Sequence, residues 1–159
     1  MNRQREIKIE SSLDEMFRVE QFVEEMSDKH MLYGNYFGNI LMAITEAVQN
    51  AMIHGNRQDR SKYVRIKEEL TMEGLWITVT DEGDGFKFND YVLKEINRSF
   101  EPEKTGLLMI QKLCDEIHFM DNGRSLRMLF KITGIDEQIF SRREAFMQDF
   151  FRVYQKLST

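Results

Sequence analysis

Three groups of residues have side chains of the kinds that do chemistry. The first is Glu46, Asn50 and His54, four residues apart in the stretch TEAVQNAMIHG. On an α-helix this spacing advances only about 40° per step, so all three project from one stripe. A neutral amide oxygen such as that of Asn50 suits a Mg²⁺ ion that keeps several waters. A carboxylate on the same stripe accepts a proton from any hydroxyl or water within hydrogen-bond reach. Taken alone, the stripe also reads as the solvated margin of an amphipathic helix. For His54, a hydrogen bond at the helix C-terminus is a better reading than a ligand role.

The second group is Asp81-Glu82-Gly83-Asp84-Gly85-Phe86, directly after the β-rich run LWITVT. Two glycines with one residue between them free the backbone for positive φ and for close approach of a ligand. A carboxylate at the end of a strand beside such a turn can accept a hydrogen bond from an exocyclic amine. A plain acidic turn explains the same residues. A calcium loop does not, because it needs oxygen ligands where Gly83 and Gly85 stand. The third group, Glu103-Lys104-Thr105-Gly106-Leu107, leads into a predicted helix. Helix N-terminal amides together with a lysine and a hydroxyl make an anion site. Thr105 would equally serve as a simple N-cap. The spacing is not that of a Walker A loop.

These groups need elements to hold them. Residues 4–11 alternate around Ile7 and Ile9, which predicts a strand. Ser12 and Glu15 form a capping-box pattern opening a helix to about residue 30. A second helix is expected over 36–54, with Ile40, Leu41, Ile44, Ala47, Val48 and Ala51 on its buried side, stopped by Gly55-Asn56. Residues 62–70 alternate again, with Tyr63, Arg65 and Lys67 on one face and Val64, Ile66 and Leu70 on the other. Glu73-Gly74 reads as a hairpin turn and 75–80 as a central strand. Residues 87–105 carry no clear period and hold the single proline, Pro102; long connections of this kind are usually functional or disordered. A helix over 106–116 follows. Strands near 117–121 and 125–132 are joined at Asn122-Gly123, and an amphipathic helix over 136–157 ends the chain. Hairpins outnumber α/β alternations, which gives an α+β sandwich of two layers: a mixed, mostly antiparallel sheet with helices on one face.

Composition bounds the remaining possibilities. The chain has 159 residues, enough for one core and a terminal appendage. With 22 basic and 27 acidic residues the net charge is −5, which argues against a general nucleic-acid binder. The basic residues of the 57–67 stretch are diluted by acidic neighbours and read as a solvated loop and strand face. No apolar run approaches the roughly 20 residues that span a bilayer, and MNRQREIKIE is not a signal sequence. The single cysteine, Cys114, excludes an intrachain disulfide and a multi-cysteine zinc site, and points to a reducing, cytoplasmic setting. Its apolar neighbours Leu113 and Ile117 make it a buried thiol. His30 and His118 have no metal-ligand spacing.

The order and spacing of the three groups change their meaning. A helix reading Glu-Ala-x-x-Asn-Ala-x-x-His is followed by a strand ending in Asp-x-Gly-x-Gly-Phe, and then by Gly-Leu-x-x-Ile at a helix start. This pattern resembles the GHKL (Bergerat-fold) ATPases, which include sensor histidine kinases and gyrase-type ATPases. Within that group it is most similar to the short bacterial anti-sigma factor serine/threonine kinases. The resemblance spans about residues 5–133.

The resemblance implies an ATP site. Asn50 would bind the nucleotide's Mg²⁺, Glu46 would be the general base, and Asp81 would bond the adenine amino group. Gly83 and Gly85 would let the acidic box fold under the nucleotide. Residues 87–105 would form a lid, and Lys104, Thr105 and Gly106 would meet the phosphates. The family's last box usually reads Gly-x-Gly, but here Lys104 stands at the first glycine. The implied activity is transfer of the ATP γ-phosphate to a serine of an anti-anti-sigma (STAS-type) partner, with a sigma factor as the competing partner. Two alternatives remain: a non-catalytic anti-sigma or adaptor protein with a degenerate lid, and a detached histidine-kinase catalytic domain. The implied domain spans 1–134. The extension 135–159 has more aromatic surface than one docking stripe needs, so it packs on its own domain or serves a partner or a homodimer.

Overall fold

The computed structural model describes residues 4–32, 34–85, 102–132 and 137–157. Strand β1 runs over Gln4–Glu10, helix α1 over Met16–His30 and helix α2 over Asn35–Asn50. A π-helical turn, Ala51–Gly55, extends α2. Strands β2 (Tyr63–Leu70) and β3 (Leu75–Thr80) form a hairpin. Helix α3 spans Pro102–Leu113, strand β4 Glu116–Met120, strand β5 Ser125–Phe130 and helix α4 Glu137–Leu157. The strands form one sheet in the order β1-β2-β3-β5-β4, and every described pairing is antiparallel.

Strand alternation and register together make the core. One cross-strand row reads Ile7, Ile66, Val79, Leu126, Phe119. Val64 and Ile66 are fully buried and Val79 nearly so. The helices cover this face with Val19, Phe22, Val23 and Met26 from α1 and with Ile40, Ile44 and Val48 from α2. From α3 come Met109, Ile110 and Leu113. The parallel row reads Arg5, Glu68, Ile77, Met128, Ile117. Glu68 is therefore a carboxylate in a core position, fully buried and paired with Lys29 and with His30 Nε2 at 3.3 Å. A buried carboxylate is tolerated only when paired in this way.

Four element boundaries differ from the sequence expectation. Ser12 caps a short 3-10 turn, Leu13–Glu15, accepting from the Asp14 amide at 3.4 Å, so the expected capping box is not formed. The last turn of the second helix widens into π geometry. The third helix begins at Pro102 rather than Gly106, with proline in the first turn, where its missing N–H costs nothing. At the Asn122 hairpin, Asp121, Asn122 and Gly123 all take positive φ. Helix α4 lays Phe146, Met147 and Phe150 against the core, and Arg143 bonds Asp115 at 2.7 Å. Phe151 and Val153 remain exposed on it. Among the described residues no helix is long and apolar enough to cross a membrane.

Candidate functional site

The apolar face of α2 fixes where its polar margin points. Ala43, Ile44, Ala47 and Val48 are buried, so Glu46 and Asn50 lie half-buried at the edge of that face. Helix α3 packs against this edge through Gly106. A Cβ added at Gly106 would stand 2.7 Å from Glu46 Oε2, and 3.5 and 3.7 Å from Asn50 Nδ2 and Oδ1. Glycine therefore lets the two helices close on the carboxylate. Among the described residues Glu46 has no hydrogen-bond partner, and burial pushes its carboxyl above the ordinary value. That shift suits a group that must take up a proton.

The π turn brings the other end of α2 to the acidic box. A Cβ at Gly55 would overlap the Asp81 carboxylate, and a Cβ at Gly83 would overlap the Gly55 carbonyl. Both glycines thus serve close approach of backbone to backbone and of backbone to carboxylate. Asp81 continues the β3 edge, its amide donating to Arg124 O at 2.9 Å. Its Oδ1 accepts from the Gly83 amide at 2.8 Å, closing a tight turn. Burial raises the Asp81 carboxyl above the ordinary carboxylate value, opposed by the Gly83 hydrogen bond and the charges of Arg124 and Lys62. Gly85 has φ 81°, and a Cβ there would overlap the Asn122 carbonyl.

These contacts enclose a cavity of about 190 Å³. Asn50, His54, Asp81, Gly85 and Arg124 supply its polar wall, and Val79, Leu107, Phe119 and Leu126 its apolar one. The volume lies below the ~300–1,000 Å³ of pockets that enclose a whole drug-sized ligand. It suits a flat heterocycle with the rest of the ligand projecting toward α3.

The expected residues thus meet from separate stretches of chain, in two layers. Asn50, Asp81 and Gly85 line the cavity, whereas Gly83 packs behind the turn and Glu46 sits beside Gly106 outside the lining. Lys104 and Thr105 lie in the first turn of α3, so Thr105 is not its N-cap. The free amides of a helix are those of its first four residues, which places Gly106 one residue beyond them. The expected lid lies outside the described residues as far as residue 101. The His54 side chain makes no hydrogen bond among the described residues; it stands exposed on the cavity rim. Cys114 is buried and its thiol pushed far up by that burial, which removes it as a nucleophile. No cluster of potential metal-binding His, Cys, Asp and Glu side chains occurs among the described residues. Arg124 and Phe119 line the cavity without having been singled out in the sequence. Arg124 follows Asn122-Gly123 and reads locally as part of a turn, although the strand period that starts there would have turned it to the inner face.

The family model described as Histidine kinase-like ATPase domain matches residues 9–130. Three curated relatives, each named Anti-sigma F factor, come from Clostridium perfringens strains SM101, ATCC 13124 and 13. Each is 25% identical over 118 residues, covering 72% of this chain and 76% of the relative.

Proposed function

Because the chain belongs to the histidine kinase-like ATPase domain family, we propose that it is an ATP-binding anti-sigma regulator with serine/threonine kinase activity. The name of its relatives supports a sigma factor as one partner. In this reading the phosphate acceptor is a serine on a STAS-type anti-anti-sigma protein. The observation that carries the proposal is the meeting of Asp81 and Asn50 in one adenine-sized cavity, with Glu46 one helical turn before Asn50 and against Gly106 of α3.

In this reading the roles are those the family resemblance implies. Asp81 accepts the adenine amine, and a 6-oxo base would set carbonyl against carboxylate. Val79, Leu107 and Leu126 exclude water from the base. Mg²⁺ in nucleotide sites is held by one or two protein oxygens and the phosphates. Asn50 offers such an oxygen, and the ion when bound compensates phosphate charge. Gly83 and Gly85 shape the turn under the nucleotide. Lys104 and Thr105, with the first-turn amides of α3 and the close packing at Gly106, form the phosphate end. Glu46 takes the proton from the serine hydroxyl as its oxygen bonds the γ-phosphorus and the bond to the β-phosphate oxygen breaks, releasing ADP. A cytoplasmic location, a domain boundary near residue 134 and a partner or homodimer contact through α4 belong to the same reading, as does the absence of direct nucleic-acid contact.

The test is incubation with γ-labelled ATP, Mg²⁺ and a candidate STAS protein. Labelled serine on the partner is expected, falling at least ~100-fold with Glu46→Gln while ATP binding persists. Full transfer by the variant contradicts the role of Glu46. A second reading, a nucleotide-binding adaptor without turnover, is favoured by one observation: Lys104 stands inside a helix, where the family pattern has a glycine hinge. ATP binding with no transfer to any acceptor would select it.

A further inference from the structure

We propose that Asn56 is a positioning residue that locks the base-recognising carboxylate of Asp81 against the end of helix α2, through a closed ring of hydrogen bonds with Tyr63 and Glu82. The proposal rests on the nucleotide reading above.

Asn56 is fully buried and directly follows Gly55. Its Nδ2 donates to Tyr63 O at 2.9 Å. The Tyr63 amide donates to Glu82 Oε1 at 2.7 Å. The Glu82 amide donates to Asn56 Oδ1 at 2.7 Å. Each of the three residues gives one hydrogen bond and takes one, and the ring closes.

The ring stands where the sheet runs out. The last described rung between β2 and β3 is Arg65–Thr80, and the same register would set Tyr63 opposite Glu82. On an antiparallel strand the N–H and C=O of one residue point to the same side. Those of Tyr63 point toward the segment where the chain leaves the ladder to make the Asp81–Gly83 turn. The Asn56 carboxamide and the Glu82 carboxylate replace the missing rung. Backbone groups left unpaired there would be costly. A carboxamide is suited to the task because one planar group both donates and accepts.

The ring also sets a distance that matters to the site. Gly55-Asn56 meets Asp81-Glu82 residue for residue. Glycine admits the carboxylate, and asparagine bonds the next amide. The span between Asn50 on α2 and Asp81 on the sheet is thereby fixed by side chains that touch no nucleotide.

The test compares ATP with inosine triphosphate, which has an oxo group in place of the amine. Calorimetric Kd values are measured for wild type, Asn56→Ala, Glu82→Ala and Glu82→Gln. Wild type is expected to prefer ATP about tenfold or more, the worth of a hydrogen bond to a charged group. In Asn56→Ala the preference should fall to within about twofold of none. Glu82 is exposed, so Glu82→Ala should fold and lose at least about threefold of the preference. Glu82→Gln retains an acceptor and should keep the wild-type ratio. If both alanine variants bind the two nucleotides more weakly at an unchanged ratio, the loss is merely structural and the positioning role is overturned. Should Asn56→Ala fail to fold, the Glu82 pair decides. If wild type does not distinguish the nucleotides, the Asp81–adenine contact falls and takes this proposal with it.

Discussion

The two ends of the candidate site, Asp81 in the cavity and Glu46 beside it at Gly106, are built by different means. At the Asp81 end, backbone meets backbone. Gly83 lies on the Gly55 carbonyl, Gly85 on the Asn122 carbonyl, and the Asp81 amide is tied to Arg124 O. At the Glu46 end, side chains of one helix meet the backbone of another, and the carboxylate has no fixed hydrogen-bond partner among the described residues. A group that selects a base gains from rigidity, because a misplaced acceptor loses discrimination. A group that takes up a proton gains from burial and an unengaged lone pair. Under the proposed function, the same chemical type, a half-buried carboxylate, is thus prepared for two tasks by what surrounds it.

One substitution made at both ends should separate them. Gly83→Ala drives a Cβ into the Gly55 carbonyl, where no side chain can move aside. We expect ATP affinity to fall about tenfold or more and stability to drop by ~1–3 kcal/mol, read by calorimetry and thermal melting. Gly106→Ala drives its Cβ toward Glu46 Oε2 at 2.7 Å, the far end of a flexible side chain. Turnover should fall about tenfold, as expected when a catalytic group is displaced by less than an ångström, with ATP affinity within about twofold. Equal losses of affinity in both variants would erase the distinction.

Protonation gives a weaker effect with a definite sign. Burial raises the Asp81 carboxyl above its ordinary value, so folding favours its neutral form relative to the unfolded chain. Its contribution to stability is fully present below the unfolded value of ~3.9. That contribution is lost as pH rises through the higher folded value. Adenine needs the ionised form. ATP affinity should therefore weaken as pH falls through the folded value, by up to about tenfold per pH unit, and Asp81→Asn should flatten the profile. The smallest effect on the site is expected from Glu68→Gln. Breaking its pairing with Lys29 and His30 should cost ~1–3 kcal/mol of stability and leave ATP affinity unchanged.

Much of this is legible in the sequence, because the signals are local. Alternation located the strands at 4–10 and 63–70, β-propensity the one at 75–80, and the Asn122-Gly123 turn the last two. The motif order picked out Glu46, Asn50 and Asp81 before any geometry. What was not legible depends on partners distant in the chain. Glu68 shares the strand period of Val64 and Ile66, yet a charged residue reads as solvated until Lys29 and His30 arrive from α1. Asn56 reads as a helix stop because its bonds go to Tyr63 and Glu82. Helix α3 starts at Pro102, where proline reads as easily as a loop residue as it does as a first-turn residue. The π turn at Ala51–Gly55 leaves no periodic mark in so short a stretch.

The most direct measurement is calorimetric titration of ATP into the whole chain, with and without Mg²⁺, beside Asp81→Ala. Saturable binding to wild type, strengthened by Mg²⁺ and lost in the variant, is the predicted result. No binding at millimolar ATP, or equal binding by the variant, would contradict the assignment of the cavity to adenine.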